Sequence, residues 1–140
     1  MKNLSIAQLD PIKLPLLKKL YKLHYPSTKI KAEEVIYVAE LEGKIVGVTR
    51  FRQIEDWQLL TGMMVVTEER KKGIAAEMLD QLQTNYLDSK VYCFAYSHLV
   101  DMYAKHGFVS IPEDELPGSL KGLFSKYSQT KALNCMQYQR

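Results

Sequence analysis

Apolar residues change their spacing several times along the chain, and each change predicts an element. Leu16, Leu17, Leu20, Tyr21 and Leu23 recur at helical intervals. Asp10-Pro11 reads as an N-cap followed by a proline at the first helical position. Pro15 lacks an N–H, so the regular helix is predicted to begin near Leu14, run to about His24 and stop before Pro26. Val35 to Leu41 and Ile45 to Ile54 are β-rich, and Glu42-Gly43-Lys44 between them predicts a hairpin turn. Glu55-Asp56 offers a second turn, and Trp57 to Val66 a third strand, which makes an antiparallel meander.

From Ile74 to about Leu87 the period changes. Ile74, Met78, Leu79, Leu82 and Tyr86 fall on one side of a helix, and Glu77, Asp80, Gln81, Thr84 and Asn85 on the other. Val91 to Tyr96 is apolar on both alternations, the pattern of a central strand covered on both faces. Leu99 to His106 predicts a short helix stopped at Gly107, and Phe108 to Ile111 a short strand. Pro112 to Thr130 carries two prolines, two glycines and many polar residues, and is expected to be a long loop. Lys131 to Gln139 then closes the sheet as a final strand. The pattern is that of an α/β fold with a mixed sheet, one domain over residues 1–140.

Composition narrows the function classes. With 46% hydrophobic and 25% charged residues, the 140-residue chain has ordinary globular proportions. Its longest apolar run, Val91 to Tyr96, is far short of the ~20 residues that span a bilayer. Asn3, Ser5, Gln8 and Asp10 break any secretory apolar stretch at the N-terminus. Two cysteines without a CxxC spacing make no disulfide framework, so a soluble, cytoplasmic protein with free thiols is expected. A net charge of +3 is too small to argue for nucleic acid as the partner. His24, His98 and His106 form no metal pattern.

The chemistry is concentrated where the third strand turns into the amphipathic helix, Met63-Met64-Val65-Val66-Thr67-Glu68-Glu69-Arg70-Lys71-Lys72-Gly73-Ile74-Ala75. A helix start offers unpaired N–H groups and a positive dipole end, which hold an anion. Gly73 and the small Ala75 allow a ligand close to the backbone, and Lys71 and Lys72 add charge at the mouth. Such a loop suits a pyrophosphate. The pattern of Arg or Gln, two residues, Gly, one residue, Gly or Ala arises by chance in roughly one chain of this length in seven, so the loop alone does not decide the matter.

A second motif follows the central strand: Tyr103-Ala104-Lys105-His106-Gly107-Phe108. With both motifs in this order, the chain resembles the GNAT superfamily of acetyl-CoA-dependent N-acetyltransferases. The phosphate loop of that family is similar to Arg70 to Ala75, and its tyrosine, three residues and Gly-Phe are similar to Tyr103 to Phe108. The resemblance spans about Val35 to Ile111. It implies a mixed, mostly antiparallel sheet of about six or seven strands flanked by helices, with splayed central strands. It also implies acetyl-CoA as co-substrate and no metal. Met63, Met64 and Val65 would bind the pantetheine arm through their backbone, and Arg70, Lys71, Lys72, Gly73, Ile74, Ala75 and Ala76 would hold the pyrophosphate. Tyr103 would be the general acid that protonates the departing thiolate.

The resemblance further implies direct attack by a primary amine in a ternary complex. The expected acceptor is a small molecule of the amino acid or polyamine type; a protein lysine or N-terminal amine is the alternative, and a non-catalytic acyl-CoA-binding module is the rival from another class. Neither nucleic acid nor membrane is an expected partner, and a homodimer is compatible with the reading. Family members often carry an asparagine seven residues before the tyrosine; here Tyr96 stands there, with Ser97 or His98 as substitutes. No glutamate occupies the family's usual places for a base. Glu55, Asp56 and His98 are candidates by residue type alone, beside a water chain.

Overall fold

The computed structural model describes residues 4–26, 28, 30, 33–66, 69–70 and 72–139. Its strands are β1 (Leu4–Gln8), β2 (Val35–Leu41), β3 (Lys44–Ile54), β4 (Trp57–Val65), β5 (Val91–Tyr96), β6 (Phe108–Ser110) and β7 (Leu133–Tyr138). Its helices are α1 (Leu14–His24), α2 (Ile74–Asn85), α3 (Val100–Ala104) and α4 (Gly118–Ser128). The strands form one sheet in the order β1-β2-β3-β4-β5-β7-β6. Only β4 and β5 run parallel; every other neighbouring pair is antiparallel. The sheet is mixed, as the pattern predicted, and its seven strands agree with the six or seven that the family resemblance implied.

The helices cover both faces. Adjacent residues of a strand point to opposite sides, and the core clusters follow that rule. Leu60 and Cys93 pack with Leu79 and Leu82 of α2 and Tyr103 of α3, while their neighbours Leu59 and Tyr92 pack with Leu120 and Phe124 of α4. Val38 and Val48 pack with Leu17 and Tyr21 of α1, whereas Ala39 packs with Ile74 and Met78 of α2. So α1 and α4 share one face, and α2 and α3 the other. β5 is buried from both sides, as its unbroken apolar sequence predicts.

Local chemistry explains the element boundaries. Asp10 accepts the N–H of Ile12 at 3.1 Å and caps a 3-10 turn over Pro11–Lys13, so the two prolines flank the start of α1 instead of breaking it. Glu42 and Gly43 both take positive φ, 52° and 82°, as a two-residue hairpin requires.

Two expectations are corrected. The segment from Pro112 to Thr130 is not a long loop: Glu113–Glu115 forms a 3-10 turn and Gly118–Ser128 is α4. Pro117 stands just before the helix, where its missing N–H removes no helical bond. Leu120 and Phe124, one turn apart, are buried against β5 and β7, and that burial outweighs the low helix propensity of Gly118 and Gly122. The N-terminus also forms a strand that the pattern did not predict. β1 is an edge strand in which Leu4 and Ile6 alternate with Ser5 and Ala7. Among the described residues no helix is long and apolar enough to cross a membrane.

The packing of α4 is testable. Leu120→Ala is expected to lower the unfolding free energy by about 2–5 kcal/mol in urea denaturation. A loss below about 1 kcal/mol would show that the segment does not pack on the sheet.

Candidate functional site

β4 and β5 pair over only three positions, Gln58↔Val91, Leu59↔Tyr92 and Leu60↔Cys93. Beyond them β4 stays on β3 as far as Val65↔Gly47, while β5 stays on β7 as far as Tyr96↔Leu133. The two strands therefore part into a wedge. The cause lies in the register. Arg50 pairs with Gly62 and Phe51 with Leu60, so Thr61 is an extra residue bulged out of β4. A bulge bends its strand, and this one sits where β4 leaves β5.

The wedge opens into a cleft of about 860 Å³. One wall is β4 from Leu60 to Val65, the other is β5 from Cys93 to Tyr96 with Tyr103, and the start of α2 lies across the mouth. α1 contributes Tyr21, and Tyr25 and Thr28 follow from the chain after it. On the β5 side, residues 61–65 of β4 make no ladder pairs among the described residues. Every second residue there directs backbone N–H and C=O groups into the gap.

Most of the residues singled out by sequence meet at this cleft. Met63, Met64, Val65, Arg70, Gly73, Ile74, Ala75, Ala76 and Tyr103 all line it. Gly73 adopts φ 81°, ψ 13°, and no side chain caps the helix it begins. The left-handed turn aims the first N–H groups of α2 outward, where they have no helical acceptor. A Cβ at Gly73 would meet nothing within 4 Å. The positive φ is a backbone angle that favours glycine, and the space beside it is clear of protein atoms.

The basic residues of the loop behave differently from one another. Arg70 donates from Nε to the Val65 carbonyl at 3.0 Å and from Nη2 to the Tyr25 hydroxyl at 2.7 Å. It ties the loop to the end of β4, and the Val65 carbonyl is engaged by it. Lys72 pairs with Glu69 at 2.8 Å and is not part of the cleft lining. Lys71 lies outside the described residues.

Tyr103 is 4% exposed, with Cys93 packed in the same core cluster. Burial, reinforced by Cys93, raises the phenol well above its ordinary range, so it is protonated throughout the neutral range. Tyr96 and His98 also line the cleft, with their rings stacked at 5.9 Å. Ser97 is turned away and its Oγ accepts from Asn134 of β7 at 3.2 Å.

Of the three base candidates only His98 reaches the cleft. Glu55 and Asp56 form the β3–β4 turn, at the far end of β4 from the wedge, because an antiparallel hairpin carries its turn away from the opposite strand ends. Among the described residues no group of three or more His, Cys, Asp and Glu is placed to hold a metal.

The sequence reading missed a charged cluster on the α1 side of the wedge. Arg50, opposite Gly62 on β3, lines the cleft and donates from Nη1 to both oxygens of Glu34 at 3.0 and 2.9 Å. Thr61, the bulged residue, donates to Glu34 at 2.9 Å. The guanidinium lies 5.3 Å from the Tyr21 ring centroid. Residues 34, 50 and 61 belong to three separate elements, so no local motif announces them.

Comparison with known proteins follows the same architecture. A family model described as an acetyltransferase (GNAT) domain matches residues 16–118. No curated protein matches the chain. Among solved structures, N-acetylglutamate synthase from Neisseria gonorrhoeae, complexed with coenzyme A and N-acetyl-glutamate, superposes with a TM-score of 0.67 at 15% identity, over 98% of this chain. This chain spans only 35% of that larger protein. A GNAT family acetyltransferase from Elizabethkingia anophelis with acetyl-CoA bound gives 0.66 at 14% identity, over 97% of this chain and 96% of that one. A spermidine N-acetyltransferase chimera of Vibrio cholerae SpeG and hSSAT gives 0.61 at 14% identity, over 96% and 94%. At these identities the likeness is one of fold.

Two measurements test the geometry. Gly73→Ala is expected to cost about 1–2 kcal/mol of stability, because a Cβ opposes the left-handed turn, and Gly73→Asn less; equal stabilities would refute the turn. Burial pushes the Cys93 thiol up to about 12 and the Cys135 thiol up to about 11. At pH 8 both are therefore in the unreactive thiol form. Iodoacetamide should label neither in the native protein and both in urea, as counted by mass; rapid native labelling of either would contradict their placement.

Proposed function

The chain belongs to the GNAT family of acetyl-CoA-dependent N-acetyltransferases, and from that premise we propose that it moves an acetyl group to the primary amine of a small molecule of the amino acid or polyamine type. The observation that carries this reading is the wedge: an uncapped, glycine-led helix start and an unpaired strand edge open onto one cleft, with a buried tyrosine on the opposite wall. An N-acetylglutamate synthase and a spermidine N-acetyltransferase among the fold neighbours support an acceptor of one of these two types.

The site suits the co-substrate. The first N–H groups of α2, at Ile74, Ala75 and Ala76, would hold the pyrophosphate, aided by the dipole of a twelve-residue helix. Arg70 lies beside them and fixes the loop. The backbone of Met63, Met64 and Val65 would take the extended arm through its free edge, Val65 by its N–H since its carbonyl is engaged. When bound, acetyl-CoA supplies the thioester that the amine attacks.

The chain's own contribution is placement. Two strands held apart by a bulge fix both walls of the cleft, and orientation of this kind removes much of the barrier. A β4 N–H facing the gap would polarise the thioester carbonyl. Tyr103 would donate its proton to the departing thiolate, a role open to a phenol because it is protonated at neutral pH. His98, on the same wall, would accept the amine proton directly or through water, beside a water chain to bulk solvent.

Calorimetric titration tests the reading: acetyl-CoA should bind, and CoA release should follow on adding free amines but not peptides. No binding at millimolar acetyl-CoA would end it. Tyr103→Phe should lower kcat by about 10²-fold or more while acetyl-CoA affinity is unchanged. Full turnover in that variant would remove Tyr103 from the mechanism.

A further inference from the structure

The acetyl-transfer reading leaves the acceptor open between two opposite chemistries. A polyamine needs carboxylates to receive its further ammonium groups; an amino acid needs cations or donors for its carboxylate. The inner end of the cleft separates the two.

Among the described lining residues the only carboxylate is Glu69, and Lys72 pairs with it at 2.8 Å. Glu34, behind the wall, is 3% exposed at its side chain and is engaged by Arg50 and Thr61. Among the described residues, no carboxylate lining the cleft is left without a partner for a second ammonium. The donors, by contrast, are in excess. A guanidinium has five N–H groups, and the contacts to Glu34 use Nη1 alone. Arg50 Nε is buried and has no hydrogen-bond partner among the described residues. A buried donor without an acceptor is destabilising, and native proteins seldom leave one unless a ligand or water completes it.

Gly62 bears on the same edge of the guanidinium. A Cβ there would lie 2.7 Å from Arg50 Nη2 and 3.1 Å from Nε. Without a side chain at Gly62 the guanidinium keeps its place against β4, and its Nε–Nη2 side, the side that takes a carboxylate through two parallel hydrogen bonds, meets no Cβ there.

We propose that Arg50, held by Glu34 and given room by Gly62, binds the carboxylate of the acceptor, so that the accepted amine is an amino acid and not a polyamine. The inference rests on the acetyl-transfer reading and goes beyond it by naming the substrate class and the residue that selects it. Arg50 at the parting of β4 and β5 would hold the carboxylate on the α1 side, leaving the amino group to reach the thioester along the wedge.

The test uses matched pairs that differ only in the carboxylate: ornithine against putrescine, lysine against cadaverine, histidine against histamine, phenylalanine against phenethylamine. Each is titrated into the protein saturated with CoA, and each is assayed for CoA release with acetyl-CoA. At least one amino acid should bind and turn over with kcat/KM about 10²-fold or more above its amine partner. Arg50→Lys keeps a charge for Glu34 but loses the planar fork, and should remove the preference by raising KM about tenfold or more. Gly62→Ala retains the guanidinium and blocks its edge, and should do the same. Acetyl-CoA affinity in both variants should match the parent, which also shows that they fold.

Amines that bind as well as their amino acids, an absence of binding by every pair member, or a preference that survives both substitutions would overturn the inference while leaving acetyl-CoA binding intact. Failure of acetyl-CoA itself to bind would overturn the acetyl-transfer reading and this inference with it.

Discussion

The parting of β4 from β5 is the constraint on which the rest of the site depends. Parallel strands that stayed paired past Leu60 and Cys93 would close their edges on each other and leave no room between them. The single extra residue at Thr61 prevents this. It bends β4 toward β3, frees a run of backbone donors and acceptors, and creates a cavity in the middle of an otherwise continuous sheet. Unpaired strand edges are normally an aggregation hazard. Here the edge is sheltered between two walls and covered at one end by α2, so it is open to a ligand but not to a passing strand.

Charged and apolar layers share the work of holding that wedge open. On one face α2 and α3 pack over Leu60, Cys93 and Tyr103. On the other, the bulge is tied down by a hydroxyl contact from Thr61 to Glu34 and by the bidentate pair between Glu34 and Arg50. Removing one partner of a buried ion pair costs about 3–5 kcal/mol, because the other charge is left without compensation. The same pair that braces the strand therefore presents a guanidinium to the cleft. Structural and recognition roles coincide because both need a charge fixed at the point of divergence.

Legibility in the sequence followed the range of the interactions. The Arg70-to-Ala75 motif, the amphipathic face of α2 and the Tyr103-to-Phe108 motif are local patterns, and each could be read within a dozen residues. α4 was hidden by its composition: two prolines and two glycines outweighed the spacing of Leu116, Leu120, Leu123, Phe124 and Tyr127, although Pro117 precedes the helix and costs it nothing. β1 was hidden by its brevity and its polar alternate residues, which suit an edge strand held by pairing with β2. Among base candidates, residue type could not tell Asp56 from His98, since only the course of the β3–β4 hairpin sends one away from the cleft and the other toward it.

From the sequence alone came the α/β class, the glycine-led turn ahead of α2 and the tyrosine of the second motif, because hydrophobic period, a glycine before a helix and a fixed spacing all act between near neighbours in the chain. Tertiary structure decided what surrounds the reacting groups. The bulge at Thr61, the meeting of Glu34 with Arg50 and the space above Gly62 exist only because strands distant in sequence lie side by side. Register between strands is a property of pairs, and no single segment carries it.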